Sequence, residues 1–213
     1  MYIKVCGLRD AAMTSHAISC GADAVGVVMS EPSPRHATPE QAAEVVRAAK
    51  RANPAVDTVL VVNRMSATQA AETARDLGFD VLQLHSSKYT RGDFDAALAI
   101  HPRVWRAVSL AKFPRLRAGE YGEERTLVDG ADPGSGEPWD LSMIDAADLG
   151  DGWILAGGLD PANVADAIAQ TAAWGVDVSS GVEGSPGAKD PELIARFVSA
   201  ARSAVADSRA ETS

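Results

Sequence analysis

Short apolar runs and longer alanine-rich stretches alternate along the chain. Most of the longer stretches repeat apolar residues at helical spacing. The apolar runs predict eight strands, at Tyr2–Val5, Ala24–Met29, Thr58–Val62, Val81–Leu84, Val104–Val108, Thr126–Asp129, Trp153–Ala156 and Val176–Val178. Strands that alternate with helices predict a parallel sheet whose neighbouring strands are joined by helical crossovers.

The predicted helices begin at residues that favour helix starts. Thr38 precedes Pro39 and is followed by Gln41, which is the pattern of a capping box with proline at the first helical position. Ser66 and Gln69 repeat the capping-box spacing. Two Asp-Pro pairs open later helices in the same way. These signals predict where the crossover helices begin.

One crossover departs from the pattern. The segment SLAKFPRLRAGEYGEE, residues 109–124, contains one proline and two glycines and has no helical stripe, so it predicts a loop or a short helix. Eight strands with crossovers favour one closed (β/α)8 barrel over residues 1–206, and an open doubly wound sheet is the alternative. Residues 207–213 lack an apolar face and predict a frayed polar tail.

Composition and charge narrow the function classes. A net charge of −9 disfavours nucleic acid and anionic membranes as partners. Two cysteines form no disulfide framework and indicate a reducing compartment, and the helical position of Cys20 predicts a packing role. No transmembrane run or secretory signal is predicted, which favours a cytoplasmic protein. No surface stripe predicts a dimer interface, and a monomer is favoured over a homodimer.

A barrel of this type places its active site in the loops that follow the carboxyl ends of the strands. Gly157 and Gly158 follow the seventh predicted strand, and Ser179, Ser180 and Gly181 follow the eighth. Exposed backbone N–H groups in these two loops form the recurring phosphate site of the fold. Either segment alone fits a tight strand–helix turn equally well, but the two together favour a phosphate site.

Cys6 and Asp129 end the first and sixth strands, where chemistry is expected. A thiolate can act as a general base if its pKa is lowered, and Lys4 lies one step deeper on the same face. A buried structural cysteine and an ion pair between Lys4 and Asp177 are the alternatives. A carboxyl group at the mouth of a barrel can act as a general acid, or Asp129 can cap the following turn, with Asp132 as a weaker candidate acid.

Two further polar residues lie in loops on the same side of the predicted barrel. Arg35 follows the second strand and could pair bidentately with a carboxylate, although a surface arginine in a proline-rich loop is the simpler interpretation. His85 follows the fourth strand and could bind a ligand or a neighbouring backbone group.

Taken in chain order, these residues and the motifs around them resemble those of the phosphoribosylanthranilate isomerase family of tryptophan biosynthesis. The resemblance runs from Tyr2 to about Ala201. The matching motifs are IKVCGLRD, SPRHATPEQAAEV, FDVLQLHSS, LVDGADPGSGEPWDLS, WILAGGLDPANVADAI and GVDVSSGVEGSPGAKDPELIARFV. The family's fold is a (β/α)8 barrel with a poorly formed fifth helix. The resemblance implies an Amadori rearrangement of N-(5-phosphoribosyl)anthranilate to 1-(2-carboxyphenylamino)-1-deoxyribulose 5-phosphate, without a cofactor or a metal.

The resemblance also implies roles for the candidate residues. Cys6 would be the general base that takes the C2′ proton, and Asp129 the general acid for the ring oxygen. Arg35 would hold the anthranilate carboxylate, and Asp177 and His85 would line the site around the substrate. The phosphate would lie on the backbone of the two loops already described, at Gly157, Gly158, Ser179, Ser180 and Gly181.

The sequence departs from the family pattern at two positions. Ser86 stands where the family usually has a glycine. Glu137 stands where the family often has a lysine, and the loss of that positive charge predicts weaker affinity for an anionic substrate. A sister sugar-phosphate isomerase or epimerase and a phosphate-binding barrel without activity are the alternatives. A thiol redox protein that uses Cys6 and Cys20 is disfavoured because the C-x-x-C spacing is missing.

Overall fold

Eight parallel strands close into a barrel in which every strand pairs with the next along the chain and β8 pairs with β1. The computed structural model describes residues 1–85, 87–129, 144, 148–171 and 173–210, with side chains up to residue 204. The strands are β1 Tyr2–Cys6, β2 Ala24–Val28, β3 Asp57–Val62, β4 Val81–His85, β5 Val104–Ser109, β6 Arg125–Asp129, β7 Ile154–Leu155 and β8 Gly175–Val178. The predicted (β/α)8 barrel is confirmed, and the open sheet is excluded.

Helices cover the outside of the barrel. They are α1 Ala11–Ser19, α2 Pro39–Ala52, α3 Ala67–Leu77, α4 Arg91–Leu98, α5 Val164–Thr171 and α6 Pro191–Ala210. The predicted capping box is formed, because the Thr38 hydroxyl accepts from the Gln41 N–H and the Gln41 side chain accepts from the Thr38 N–H. In the described part of the chain, no helix is long and apolar enough to cross a membrane.

The last helix extends further than the sequence pattern suggests. Helix α6 runs to Ala210, so the first residues of the predicted tail are helical. Residues 211–213 lie outside the described part of the chain. The division into a barrel of residues 1–206 and a tail of residues 207–213 stays a prediction.

The amino-terminal end of the barrel is closed by aromatic and charged side chains. The rings of Tyr2 and Trp174 stack with centroids 4.6 Å apart, and the ring of Tyr2 meets Trp105 edge-on at 6.0 Å. The Tyr2 hydroxyl donates to Asp57 at 2.7 Å, and Arg103 donates to the same carboxylate. These side chains therefore fill the barrel at its amino-terminal end.

The crossover between β5 and β6 forms turns and contains no helix, as predicted from its sequence. Arg106, on β5, is buried beneath this crossover. Its guanidinium carbon lies 3.8 Å from the ring centroid of Tyr121 and 5.4 Å from that of Phe113. The carboxylate of Glu123 lies 3.9 Å from the guanidinium and is fully buried. A buried arginine therefore takes the place of an apolar helix face.

Glu123 organises this crossover by accepting three hydrogen bonds. The donors are the Gly119 N–H at 3.1 Å, the Tyr121 N–H at 2.8 Å and the Thr126 hydroxyl at 3.0 Å. Glu120 also contacts Arg106, at 3.5 Å, but half of its side chain is exposed. The two glutamates offer a matched comparison of a buried and an exposed partner of one arginine.

We expect Glu123→Ala to lower the free energy of unfolding by about 3 kcal/mol, because it leaves three donors and a buried guanidinium without their acceptor. Glu120→Ala should cost less than about 1 kcal/mol, since its ion pair is solvated. Urea unfolding followed by circular dichroism measures both values. An equal loss of unfolding free energy in the two variants would contradict the larger contribution expected of the buried Glu123.

Candidate active site

A cavity of about 900 Å³ opens at the carboxyl ends of the strands. It brings together side chains or backbone from all eight strand ends or the loops that follow them. Of the ten residues predicted from the sequence, it is lined by nine: Cys6, Arg35, His85, Asp129, Gly157, Gly158, Asp177, Ser179 and Ser180. The tenth residue, Gly181, packs against Leu159 in the loop after β7. The barrel thus assembles the predicted residues into one site, although they are spread over most of the chain.

Cys6 lies at the end of β1, directly above a buried ion pair. The Lys4 ammonium is fully buried and donates to the Asp177 carboxylate at 2.9 Å, which confirms the pairing predicted between these residues. Burial disfavours the charge on Lys4, but the nearby Asp177 and Cys6 raise the pKa of Lys4 above its usual value. Lys4 therefore stays protonated beneath the thiol.

The pKa of the Cys6 thiol is raised, chiefly because the group is buried. The positive charges of Lys4 and Lys189 act in the opposite direction, and the Asp177 carboxylate adds to the increase. Burial likewise raises the pKa of Asp177, although Lys4 opposes this. A thiolate base at this position was expected to need a lowered pKa. The surroundings of Cys6 shift its pKa in the opposite direction. The thiol form therefore predominates at neutral pH.

Two glycines shape the backbone around Cys6, and one of them, Gly26, makes room for the thiol. A Cβ atom on Gly26, in β2, would lie 2.8 Å from the Cys6 Sγ and 3.2 Å from Lys4 Cε. Gly7 has a φ of +83°, and its N–H donates to the Gly26 carbonyl at 2.8 Å. Gly26 was not singled out in the sequence, because its contact with Cys6 exists only once β1 and β2 pair.

His85 and Asp129 approach each other across the site from β4 and β6. The His85 Nε2 lies 3.1 Å from the Asp129 Oδ2, and both side chains are mostly buried. The approach lacks the alignment of a standard hydrogen bond, since the buried Nε2 has no bonded partner among the described residues. The carboxyl group of Asp129 therefore sits at the cavity wall beside an imidazole, separated from Cys6 by strands β7 and β8.

The loop after β7 has the backbone shape expected of an anion site. Gly157 and Gly158 have φ values of +86° and +65°, in the left-handed region that favours glycine. The Gly158 carbonyl accepts from the Asn163 side chain at 2.8 Å, and Asp160 accepts from the Asn163 N–H at 3.0 Å. These bonds fix the loop just before α5 begins at Val164.

Gly181 joins the two glycine-rich loops instead of lining the cavity. A Cβ atom at this position would lie 1.9 Å from the Leu159 carbonyl oxygen, so the β8 loop packs directly on the β7 loop. Ser179 and Ser180 do line the cavity. The sequence placed Gly181 among the phosphate-binding residues; the structure packs it between the two loops, and its contact with a phosphate stays a prediction.

Arg35 and two residues that sequence reasoning missed form one charged cluster at the cavity rim. The Arg35 Nε donates to Glu183 at 2.7 Å, and Lys189 Nζ donates to the same carboxylate at 2.8 Å. Burial opposes ionisation of Glu183, but Arg35, Lys189 and the Gly187 N–H lower its pKa to about 2. We call Arg35, Glu183 and Lys189 the rim cluster.

Three predicted positions lie outside the described residues, namely Ser86, Asp132 and Glu137. Among the residues that are described, no group of three or more histidine, cysteine or acidic side chains could hold a metal ion. The expectations that no cofactor and no metal are needed stay predictions.

Comparison with known proteins shows the family. Residues 3–200 match the model of N-(5'phosphoribosyl)anthranilate (PRA) isomerase. The chain belongs to this family. It is 40% identical to the N-(5'-phosphoribosyl)anthranilate isomerase of Granulibacter bethesdensis over 95% of this chain and 98% of that protein. It is 37% identical to the enzyme of the same name from Citrifermentans bemidjiense over 94% and 96% of the two chains.

Solved structures of PRA isomerases have the same fold. TrpF from Jonesia denitrificans superposes with a TM-score of 0.86 at 46% identity, covering 96% of this chain and 98% of that one. A PRA isomerase in complex with reduced 1-(O-carboxyphenylamino)-1-deoxyribulose 5-phosphate superposes with a TM-score of 0.77 at 28% identity, covering 95% and 99%. The family resemblance inferred from the sequence motifs is confirmed.

The raised pKa of Cys6 can be measured in a Cys20→Ser background, where it is the one remaining thiol. We expect its alkylation by iodoacetamide to reach half of the maximal rate at a pH above the ordinary thiol value of about 8.5. Adding Lys4→Met should move the midpoint higher still, since Lys4 favours the thiolate. A midpoint below about 8 would contradict this electrostatic description.

Proposed function

We propose that the protein catalyses the Amadori rearrangement of N-(5-phosphoribosyl)anthranilate to 1-(2-carboxyphenylamino)-1-deoxyribulose 5-phosphate, a step of tryptophan biosynthesis. The observation that carries the proposal is that Cys6 and Asp129 line one cavity together with Arg35 and the two loops after β7 and β8. Membership of the PRA isomerase family supports the same reaction. The relative solved with a reduced product analogue shows that this fold binds such a molecule in at least one member.

The substrate has two anionic ends, and the cavity has a partner for each. We place the phosphate on the backbone of Gly157 and Gly158 together with Ser179 and Ser180, because N–H groups at loop ends and helix starts bind anions. The anthranilate carboxylate then points to Arg35. Asp177 and His85 line the same cavity, and we place them around the middle of the substrate.

The reaction needs an acid and a base on different atoms of the substrate. Asp129, in its protonated form, gives its proton to the ring oxygen as the C1′–O bond breaks, which opens the ribose to a Schiff base. The Cys6 thiolate then removes the proton from C2′, and the electron pair neutralises the iminium nitrogen to leave an enolamine. The enolamine tautomerises to the ketone product. Holding both groups at fixed positions around the substrate lowers the entropic cost of each proton transfer.

The raised pKa of Cys6 has a kinetic consequence. The reactive thiolate is a minority species at neutral pH, and Lys4 beneath it keeps that species accessible. We expect kcat/KM to rise about tenfold per pH unit on the acidic side of the Cys6 pKa, until another group limits the rate. A kcat/KM that is flat from pH 6 to pH 8, about where free thiols begin to ionise, would contradict a thiolate base.

The direct test generates PRA in situ and follows the loss of its fluorescence with purified protein and no added metal. Rapid turnover would support the proposed reaction. If PRA is not turned over, the protein acts on a sister sugar phosphate or only binds phosphorylated ligands. The substrate of the histidine-pathway isomerase would then separate these two outcomes.

We expect Cys6→Ala and Asp129→Asn each to lower kcat by at least about 100-fold, because each removes one of the two proton-transfer groups. Binding of the reduced product analogue should survive in both variants. Cys20→Ser is the matched control, since it removes the other thiol and should keep normal turnover. Near-normal kcat in either active-site variant would remove that residue from its proposed role.

Arg35→Ala should raise KM by more than about tenfold with a smaller effect on kcat, since the arginine holds a part of the substrate that does not react. Arg75→Ala is a suitable control because Arg75 lies on the exposed face of α3. An unchanged KM in Arg35→Ala would contradict the carboxylate contact.

A further inference from the structure

Arg35 presents a problem for the proposed carboxylate contact, because its guanidinium already has a carboxylate partner. The Arg35 Nε donates to Glu183 Oε1 at 2.7 Å, and the Nη2 donates to Glu183 Oε2 at 3.1 Å. An arginine has five N–H donors in a planar fork. The pairing occupies only the side edge of that fork, so the end edge formed by Nη1 and the second Nη2 hydrogen remains for another acceptor.

Glu183 is itself held rigidly. It lies in β9, Glu183–Ser185, which pairs antiparallel with β10, Ala188–Lys189, and Lys189 is its direct neighbour across the pair. Besides Arg35, Lys189 donates to it at 2.8 Å and the Gly187 N–H donates at 3.0 Å. Only 5% of the Glu183 side chain is exposed. A carboxylate with this many donors has little freedom to rotate.

The β9–β10 hairpin also packs against the loop that carries Arg35. A Cβ atom on Gly187, at the hairpin turn, would lie 2.3 Å from the Pro34 carbonyl oxygen. Arg9 donates to the Gly187 carbonyl at 2.6 Å and to the Pro34 carbonyl at 3.3 Å, and so joins the two segments. The hairpin therefore fixes both the backbone before Arg35 and the end of its side chain.

The charge of the rim cluster suits an anion. Two cations, Arg35 and Lys189, share one carboxylate, which leaves the cluster with one net positive charge, and Arg35 is the member that lines the cavity. Lys189 further donates to the Ser179 carbonyl at 2.9 Å, in the loop proposed to hold the phosphate. A Cβ atom on Gly7, the residue after Cys6, would lie 3.1 Å from Arg35 Cδ and 3.2 Å from Lys189 Nζ. The cluster thus lies directly beside the base.

We propose that Glu183 is a positioning residue, which fixes the Arg35 guanidinium so that its free end edge faces the cavity and receives the substrate carboxylate. This inference rests on the proposed function. Without Glu183, the arginine side chain would sample several rotamers, and part of the binding free energy would be lost in ordering it. The effect falls on affinity because Glu183 does not touch the reacting atoms.

The test is a double-mutant cycle on Glu183→Gln and Arg35→Ala, with KM and kcat measured for PRA. We expect Glu183→Gln to raise KM about tenfold and to change kcat less than about twofold, since the amide keeps the size but loses the charged pairing. In the Arg35→Ala background, the same substitution should change KM less than about twofold. Glu192→Gln, an exposed change of the same charge in α6, should match the wild type.

The inference is overturned by an unchanged KM in Glu183→Gln, by a loss confined to kcat, or by an equal rise in KM with and without Arg35. If Glu183→Gln does not fold by circular dichroism, Glu183→Asp decides by the same criteria, because it keeps the charge but shortens the reach. Calorimetric binding of the reduced product analogue to the same proteins separates this inference from the reaction. The wild type could bind the analogue, with coupling between Glu183 and Arg35, and still not turn over PRA. That result would contradict the proposed function but not this inference.

Discussion

The ion pair between Lys4 and Asp177 is the interaction on which the site depends. The two residues are register partners on β1 and β8, so their 2.9 Å contact spans the strands that close the barrel. Cys6 lies two positions beyond Lys4, and the serine loop begins two positions beyond Asp177. A buried pair of this kind is expensive to desolvate and adds little stability by itself. Its value here is that it places a protonated ammonium beneath the Cys6 thiol, which partly offsets the increase in the Cys6 pKa that burial causes.

The two ends of the barrel differ in role: the amino-terminal end stabilises the fold, and the carboxyl-terminal end holds the candidate active site. The amino-terminal end is filled by stacked rings and by Arg103, which pairs with both Asp57 and Glu124. The other end holds the charged and polar groups of the candidate active site around an open cavity. A net charge of −9 would repel the proposed substrate, which carries a carboxylate and a phosphate. In the proposed binding mode, local donors at the rim cluster and the glycine-rich loops offset that field.

Local patterns made much of this architecture predictable. Strand runs, the capping box at Thr38 and the irregular crossover after β5 each depend on neighbouring residues, and the structure has all three. Contacts between distant elements were not predictable in the same way. Arg35 and Glu183 are 148 positions apart, and Gly26 meets Cys6 only after strand pairing. The direction of the Cys6 pKa was also beyond the sequence, because it depends on the balance between burial and two lysines.

In the proposed reaction, Cys6 and Asp129 act on opposite sides of one bound substrate. A crystal structure with the reduced product analogue, 1-(o-carboxyphenylamino)-1-deoxyribulose 5-phosphate in its reduced form, tests this most directly. We predict that Cys6 Sγ lies within about 4 Å of C2′ and that the Asp129 carboxyl group reaches the oxygen derived from the ribose ring. The phosphate should lie on the loops after β7 and β8. A ligand whose C2′ lies beyond reach of Cys6, or whose phosphate occupies another part of the rim, would contradict the account.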